Sequence, residues 1–259
     1  MPIVETDIAD DIATIRLNRP EVHNAFDDRM IADLTAAFDA VAARPELRVV
    51  QLAAAGASFS AGGDLDWMRR VAGYSDEENR ADAERLARLL QKLATLPKPT
   101  IALVQGAAYG GGVGLIAACD IAIAVEGARF GLTEVRLGLV PAVISPYVIG
   151  AIGARWARRL FLTGERFDTD LALRIGLVHE VLPADRLKAR ADELVVQLKE
   201  GAPGAQAEAK RLVAQVAGES ADDYLIDHTS RLIARMRAAF EGREGVAAFL
   251  EKRKPAWRR

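Results

Sequence analysis

A single cysteine, Cys119, stands in a chain of 259 residues. An intrachain disulfide is therefore excluded, and the usage fits a reducing compartment. Histidine is scarce too. His23, His179 and His228 lie far apart, and no CxxC or HExxH spacing occurs, so no metal centre is expected. Charge of one sign does not dominate: the formal net charge is −2, which gives no argument for a nucleic-acid partner. The Arg-rich 153–159 stretch reads instead as a helix face. Long hydrophobic runs are missing as well. The longest, Val113 to Val125, is broken by Asp120 and falls short of a membrane span. Glu5, Asp7, Asp10 and Asp11 precede any apolar run, so no signal peptide is read, and a cytoplasmic location is the expectation. Ser60 has no His in a nearby motif, which argues against a Ser-His-Asp hydrolase. Cys119, followed by Asp120 in an apolar run, reads as packing rather than as a nucleophile.

What is present is material for a sizeable core, with 51% hydrophobic residues. Residues 3–8 and 12–17 read as short strands joined by a turn at Ala9-Asp10-Asp11. Asp27 is placed to cap a helix with Ile31, Leu34, Phe38 and Val41 on one face. Residues 48–53 form a short apolar strand. Ser75-Asp76-Glu77-Glu78 has capping-box form and precedes a helix that presents Leu86, Leu89, Leu90 and Leu93. Pro97 and Pro99 stop it. Strand 100–104, helix 111–118 and strand 121–125 follow, then an amphipathic helix over 184–199. The alternation argues an α/β fold. Gly201-Ala202-Pro203-Gly204 is a breaker cluster. Beyond it, 205–217, 221–240 and 243–252 read as three helices with no strand between them. Residues 1–200 are thus expected to form an α/β core and 201–259 a helical C-terminal region.

Two glycine-bearing segments carry the chemistry. Ser58-Phe59-Ser60-Ala61-Gly62-Gly63-Asp64-Leu65 is the first. Gly106-Ala107-Ala108-Tyr109-Gly110-Gly111-Gly112-Val113-Gly114 is the second, set between a strand and a helix. Glycine admits a ligand close to the main chain, and the N–H groups that open a helix have no internal partner. Two such donors around a carbonyl would hold an enolate or a tetrahedral oxyanion. These glycines would equally serve tight turns alone. Glu134, in an apolar stretch from Phe130 to Leu139, sits either at a solvated turn or in a desolvated site, where its pKa would rise toward acid/base use.

The segments FSAGGDL, QGAAYGGGVGLIAACDIAIA and FGLTEVRLGLVPAVISP, in that order, resemble the enoyl-CoA hydratase/isomerase (crotonase) superfamily. The likeness runs from LNRPEVHNAF to AFLEKRKPAW and so spans nearly the whole chain. It implies a crotonase-like spiral of ββα turns with a helical C-terminal trimerisation region, hence a homotrimer or a dimer of trimers. It implies an acyl-CoA substrate, with CoA as part of the substrate and no separate cofactor. By position, Gly63 and Gly111 match the oxyanion donors and Glu134 matches a catalytic glutamate. Val22, His23, Ala25, Ala61, Asp64 and Leu65 match contacts to adenine and pantetheine. Lys252 matches a basic residue near CoA phosphates, commonly from a neighbouring subunit.

Gly114 departs from the pattern. Better-known hydratases carry a second glutamate after GGGC, and this chain has GGGVG. One glutamate and one water could still hydrate a 2-enoyl-CoA on one face, or one glutamate could shift a double bond as in an isomerase. A non-catalytic acyl-CoA-binding trimer is the third reading, which the intact Glu134 opposes. The Pro141–Tyr147 segment resembles a bacterial branch of methylglutaconyl-CoA and isohexenylglutaconyl-CoA hydratases. That implies a branched or carboxylated acyl group, as in leucine breakdown, with Arg136, Ser145 and Tyr147 as candidates for its carboxylate. The Ala142 N–H is the candidate holder of the attacking water.

Overall fold

Strand alternation is clean at the start of the chain. The strand β2 (Ile12–Leu17) buries Ala13, Ile15 and Leu17 on one face, and β1 (Val4–Ala9) pairs with it antiparallel across the expected turn. In this computed structural model, which describes residues 2–258, β2 is followed in the sheet by β3 (Val49–Ala54), β5 (Thr100–Val104), β7 (Ile121–Val125) and β10 (Glu180–Leu182), all parallel. Apart from the buried Gln51 and Thr100, β3, β5 and β7 are apolar on both faces, as parallel strands covered on both sides require.

A second, smaller sheet runs β4 (Ser58–Ser60), β6 (Ala107–Tyr109), β8 (Arg129–Gly131) and β9 (Arg166–Asp168). The chain visits the two sheets in turn. β3 lies in the large sheet and β4 in the small one. β5 and β6, then β7 and β8, repeat the step, with parallel neighbours each time. Helices close each turn: α2 (Leu65–Val71) and α3 (Asp76–Thr95), then α4 (Gly111–Ala118), then α5 (Ser145–Thr163). This is the spiral of ββα turns that the resemblance implied. No repeat is legible in the sequence because the turns differ in length: two helices separate β4 from β5, and one short helix separates β6 from β7.

Local signals set the helices. The Asp27 carboxylate accepts from Met30 N–H and starts α1 (Asp28–Ala42), which buries Ile31, Leu34, Phe38 and Val41. Ser75 and Glu78 close the capping box of α3. The strands expected at 3–8 and 48–53 lie one residue later. The helix expected over 184–199 is a 3-10 turn at Ala184–Arg186 followed by α7 (Leu187–Glu200). Not anticipated were α2, α6 (Thr169–Arg174), β10 and the short strands of the small sheet. α5 was anticipated in part, through a helix start at Pro146 and the 153–159 helix face. It is broken at Gly153, whose φ of 72° is non-helical.

Three helices end the chain: α8 (Pro203–Val216), α9 (Asp223–Ala238) and α10 (Phe240–Leu250). α8 starts two residues earlier than expected because Pro203 fits the first helical turn. Neither α8 nor α9 buries a residue fully, and α10 buries only Ala248. Tyr224, Ile226, Phe240, Val246, Phe249 and Leu250 are each more than half exposed. Lys210 ties α8 to the core through Asp120 Oδ2 at 2.8 Å, and Arg48 donates to Gly201 O at 2.6 Å and Trp257 O at 3.2 Å.

The loop between β2 and α1 is fixed by Asn24, which is fully buried and has φ 54°. Its Nδ2 donates to Ala55 O and Ser58 O at 2.7 and 2.9 Å, and its Oδ1 accepts from Arg19 N–H at 2.8 Å. Asn24→Ala should destabilise the fold by about 3 kcal/mol, from lost bonds and left-handed backbone strain. Asn24→Gly, which relieves the strain alone, should cost about 1 kcal/mol less. Urea denaturation of both variants checks this, and equal losses would refute the backbone contribution.

Candidate active site

The small sheet brings the two glycine segments together. β4 ends at Ser60 and β6 at Tyr109, side by side, and each strand runs straight into a glycine turn. Gly62 and Gly110 both have positive φ, 88° and 49°. A β-carbon added at Gly62 would lie 3.2 Å from Tyr109 O, and one added at Gly110 would lie 3.2 Å from Glu134 Oε1. Side chains at either position would therefore fill the space between the turns and the glutamate.

The donors themselves are free of backbone partners. Gly63 forms an isolated parallel bridge with Phe26, in which Phe26 N–H donates to Gly62 O and Asp64 N–H donates to Phe26 O. In such a bridge the flanking residues make the bonds, so the Gly63 N–H points to the other side. Gly111 is the first residue of α4. Gly110 N–H is taken by Gly131 O at 3.0 Å, and the helical ladder starts with Gly114 N–H on Gly110 O. The Gly111 N–H thus belongs to the unpaired first turn, at the positive end of the helix dipole. Phe26 lies between the two: its backbone bridges Gly63, and its ring would be 3.4 Å from a β-carbon on Gly111.

Glu134 opens a 3-10 turn (Glu134–Leu137), separated from the end of β8 by two residues. Its Oε2 is buried and makes no hydrogen bond. Burial raises the carboxyl above its ordinary value, opposed only by a backbone hydrogen bond within the residue itself. An unpaired, desolvated carboxyl beside an oxyanion-type pair of N–H groups can take and return a proton next to a carbonyl.

The remaining expected residues fall in two groups. His23, Ala61, Asp64 and Leu65 gather around the Gly63 turn: Ala61 N–H donates to His23 O at 2.9 Å, His23 Nδ1 meets Ser58 Oγ at 3.0 Å, and Leu65 is 71% exposed, while Val22 ends the 3-10 turn before His23 and Ala25 is buried. The Asp64 side chain is already engaged. It caps α2 by accepting from Asp66 and Trp67 N–H and pairs with Arg19 at 3.1 Å, and its backbone is engaged too, with its N–H on Phe26 O and its carbonyl accepting from Met68 N–H. Burial alone would raise its pKa, but those N–H groups and the Arg19 charge hold it below the ordinary value. Lys252 lies exposed just past α10, with φ 54°.

Ala142 corrects an expectation. Its N–H donates to Val140 O at 2.8 Å, so it is not the free donor an attacking water needs. Ser145 Oγ is committed to Ala142 O at 2.8 Å, and Arg136 packs along Gly164. Tyr147 is half-buried, and burial raises its hydroxyl above the ordinary pKa. Cys119 is pushed up to about 12 by burial and the Asp120 charge, which makes it unreactive. Among the described residues no group of three His, Cys, Asp or Glu could hold a metal, and no helix is long and apolar enough to cross a membrane. A separate open groove of about 550 Å³ between α1 and α3, lined by Ile31, Thr35, Asp39, Glu84 and Arg85, contains none of these catalytic candidates.

Sequence reasoning missed Arg19, Asn24, Trp67 and Met68. Arg19 joins Asp27 (2.8 Å) to Asp64 and so fixes the α1 cap to the Gly63 turn. The Trp67 and Met68 side chains lie against the place that a β-carbon on Gly63 would take. Only the quoted LNRPEVHNAF resemblance touched this loop, and nothing in spacing marked Asn24 as a buried hub.

The residues from 7 to 259 match the family model for enoyl-CoA hydratase/isomerase. The chain belongs to the enoyl-CoA hydratase/isomerase family. It is 45% identical to an enoyl-CoA hydratase from Shewanella pealeana, with a TM-score of 0.96 over 99% of this chain and 96% of that one. AtuE of Pseudomonas aeruginosa superposes with a TM-score of 0.94 at 38% identity over the whole of both chains. Trans-2-decenoyl-[acyl-carrier-protein] isomerase of Streptococcus mutans is 30% identical over 94% of this chain and 93% of its own length. The crotonase fold expected from the sequence is thus present.

Because Glu134 is held above its ordinary pKa, the native state binds its proton more tightly than the unfolded chain does. Stability then falls as pH rises from the ordinary carboxylate value of 4.5 through the higher folded value. Glu134→Gln should be more stable than the parent at neutral pH, and the gap should close below pH 4.5. Thermal unfolding at a series of pH values tests it. A Gln variant less stable at pH 7 would show that the carboxylate is compensated after all.

Proposed function

We propose that this family member is a hydratase that adds water across the double bond of a 2-enoyl-CoA thioester. The observation that carries it is Glu134 Oε2, buried without a partner beside the Gly62 and Gly110 turns. The N–H groups of Gly63 and Gly111 would hold the thioester oxygen and stabilise the enolate. Glu134 would take a proton from a water molecule as the water oxygen bonds to the β-carbon. It would then return that proton to the α-carbon on the same face. One water is consumed, the carbon–carbon double bond becomes single, and Glu134 ends as it began. The rim around Val22, His23, Ala25, Ala61 and Leu65 is the proposed path of pantetheine and adenine, chiefly through backbone contacts.

A branched or carboxylated acyl group of the methylglutaconyl type is the finer reading. Arg136 and Tyr147, in the segment that resembles that branch, are the candidate cationic and hydroxyl side chains for it, since the Ser145 hydroxyl is committed to Ala142 O. The isomerase reading draws on one observation, the glycine at 114, which supplies no second carboxylate. For assembly, we propose a trimer or a dimer of trimers joined through residues 201–259. The apolar side chains left exposed on α9 and α10 need cover, and Lys252 would then approach CoA phosphates in an adjacent site.

Glu134→Gln should bind CoA thioesters normally and lose about two to four orders of magnitude in turnover. Mass spectrometry of products from a panel of enoyl-CoA thioesters in deuterated water separates the readings. A hydratase product is heavier by one water. If no substrate gains water while a 3-enoyl-CoA becomes 2-enoyl-CoA, the isomerase reading replaces this one.

Light scattering at micromolar concentration should report three or six subunits. A fully active monomer would overturn the proposed assembly.

A further inference from the structure

Gly114 is buried in the first turns of α4, and its missing side chain has a definite neighbour. A β-carbon there would lie 2.9 Å from Ile144 Cβ, closer still to Ile144 Cγ2, and 3.8 Å from Leu90 Cδ1. Real β-carbons do not approach that closely, so any other residue at 114 collides with Ile144. Ile144 cannot easily withdraw. It is 3% exposed and forms the N-cap of α5. Its carbonyl accepts from Tyr147 and Val148 N–H at 3.2 and 3.1 Å, while Ser145 N–H and Oγ brace the turn on Ala142 O.

The two departures noted in the sequence, GGGVG and PAVISP, therefore meet in space. We propose that Ile144 is a positioning residue that fixes the number of catalytic carboxylates at one. Its side chain occupies the volume that a side chain at 114 would enter, the position from which, by the resemblance, a second glutamate would reach the reacting face. The glycine is thus half of a matched pair, and neither half exchanges alone. The kinetic part of this inference rests on the one-glutamate chemistry above; the packing part does not.

The test moves side-chain volume from 144 to 114. Gly114→Ala alone should lower Tm by about 4 °C or more through overpacking. In the Ile144→Gly background the same change should leave Tm unchanged or raise it, because the added methyl enters the vacated space. Such a reversal of sign is a coupling that independent sites do not show. Equal losses in both backgrounds, or no loss in the parent, would overturn the matched pair. Gly114→Glu/Ile144→Gly should then place a second carboxyl at the site. The pH profile of whichever reaction the parent catalyses, hydration or isomerisation, should gain a second ionisation. A profile that keeps a single ionisation while the Tm reversal holds would overturn the reach of position 114 to the reacting face. A parent that turns over no enoyl-CoA thioester would sink the enzymatic reading and leave the Tm cycle intact, so the two failures are distinguishable.

Discussion

The site depends on how closely two stretches of main chain approach at Gly62 and Gly110. Strands β4 and β6 pair in parallel and end together, so their glycine turns face one another and Glu134 at the same end of the small sheet. Every donor in the proposed oxyanion pair is a backbone group. Its direction follows from strand pairing and helix start, with no side-chain rotamer to fix. The Gly63 N–H is turned outward because its neighbours make the bridge to Phe26, and the Gly111 N–H is open because a helix begins there. Geometry of this kind involves little reorganisation when charge develops on a bound carbonyl oxygen, which is the condition for strong electrostatic stabilisation.

That arrangement needs support from outside the glycines, which are themselves poor at resisting motion. The support comes from the loop before α1. Asn24 ties it to Ala55 and Ser58 at the entrance to β4, while Arg19 joins the cap of α1 to the cap of α2 across Asp27 and Asp64. The Gly63 turn is thereby held from both ends, by Phe26 on one side and by the Asp64 cap on the other. The same loop carries His23 and Asn24 with left-handed backbone, so local strain is concentrated where the rim of the site is shaped.

Features legible in the sequence were those decided within a few residues. The Asp27 cap, the Ser75–Glu78 box and the buried faces of α1 and α3 all follow from neighbours in the chain. The spiral could be named only through resemblance, because its turns differ in length and its second strands are three residues each. Composition gave no access to contacts between distant segments. Ile144 against Gly114 and Arg19 against Asp64 each join positions whose separate motifs read differently. Ala142 shows the converse: its place in the motif suggested a free N–H, and the tight turn to Val140 consumes it.

Two carboxylates near the site show how environment, not residue type, assigns a role. Asp64 accepts from two helix N–H groups and faces Arg19; its charge is stabilised, and its side chain is committed to structure. Glu134 has neither a cation nor a side-chain hydrogen bond, and its buried oxygen is unsatisfied. The pKa shifts run in opposite directions for that reason. An unsatisfied buried polar atom is costly in a fold that gains nothing from it. Here the cost falls on the one carboxyl that stands beside both glycine turns. A counter-ion for Glu134 would stabilise the protein and at the same time lower its affinity for the proton that the proposed chemistry has it carry. The lack of a partner at Glu134 is therefore what the proposed chemistry requires, and the paired Asp64 is what allows the turn beside it to stay in place.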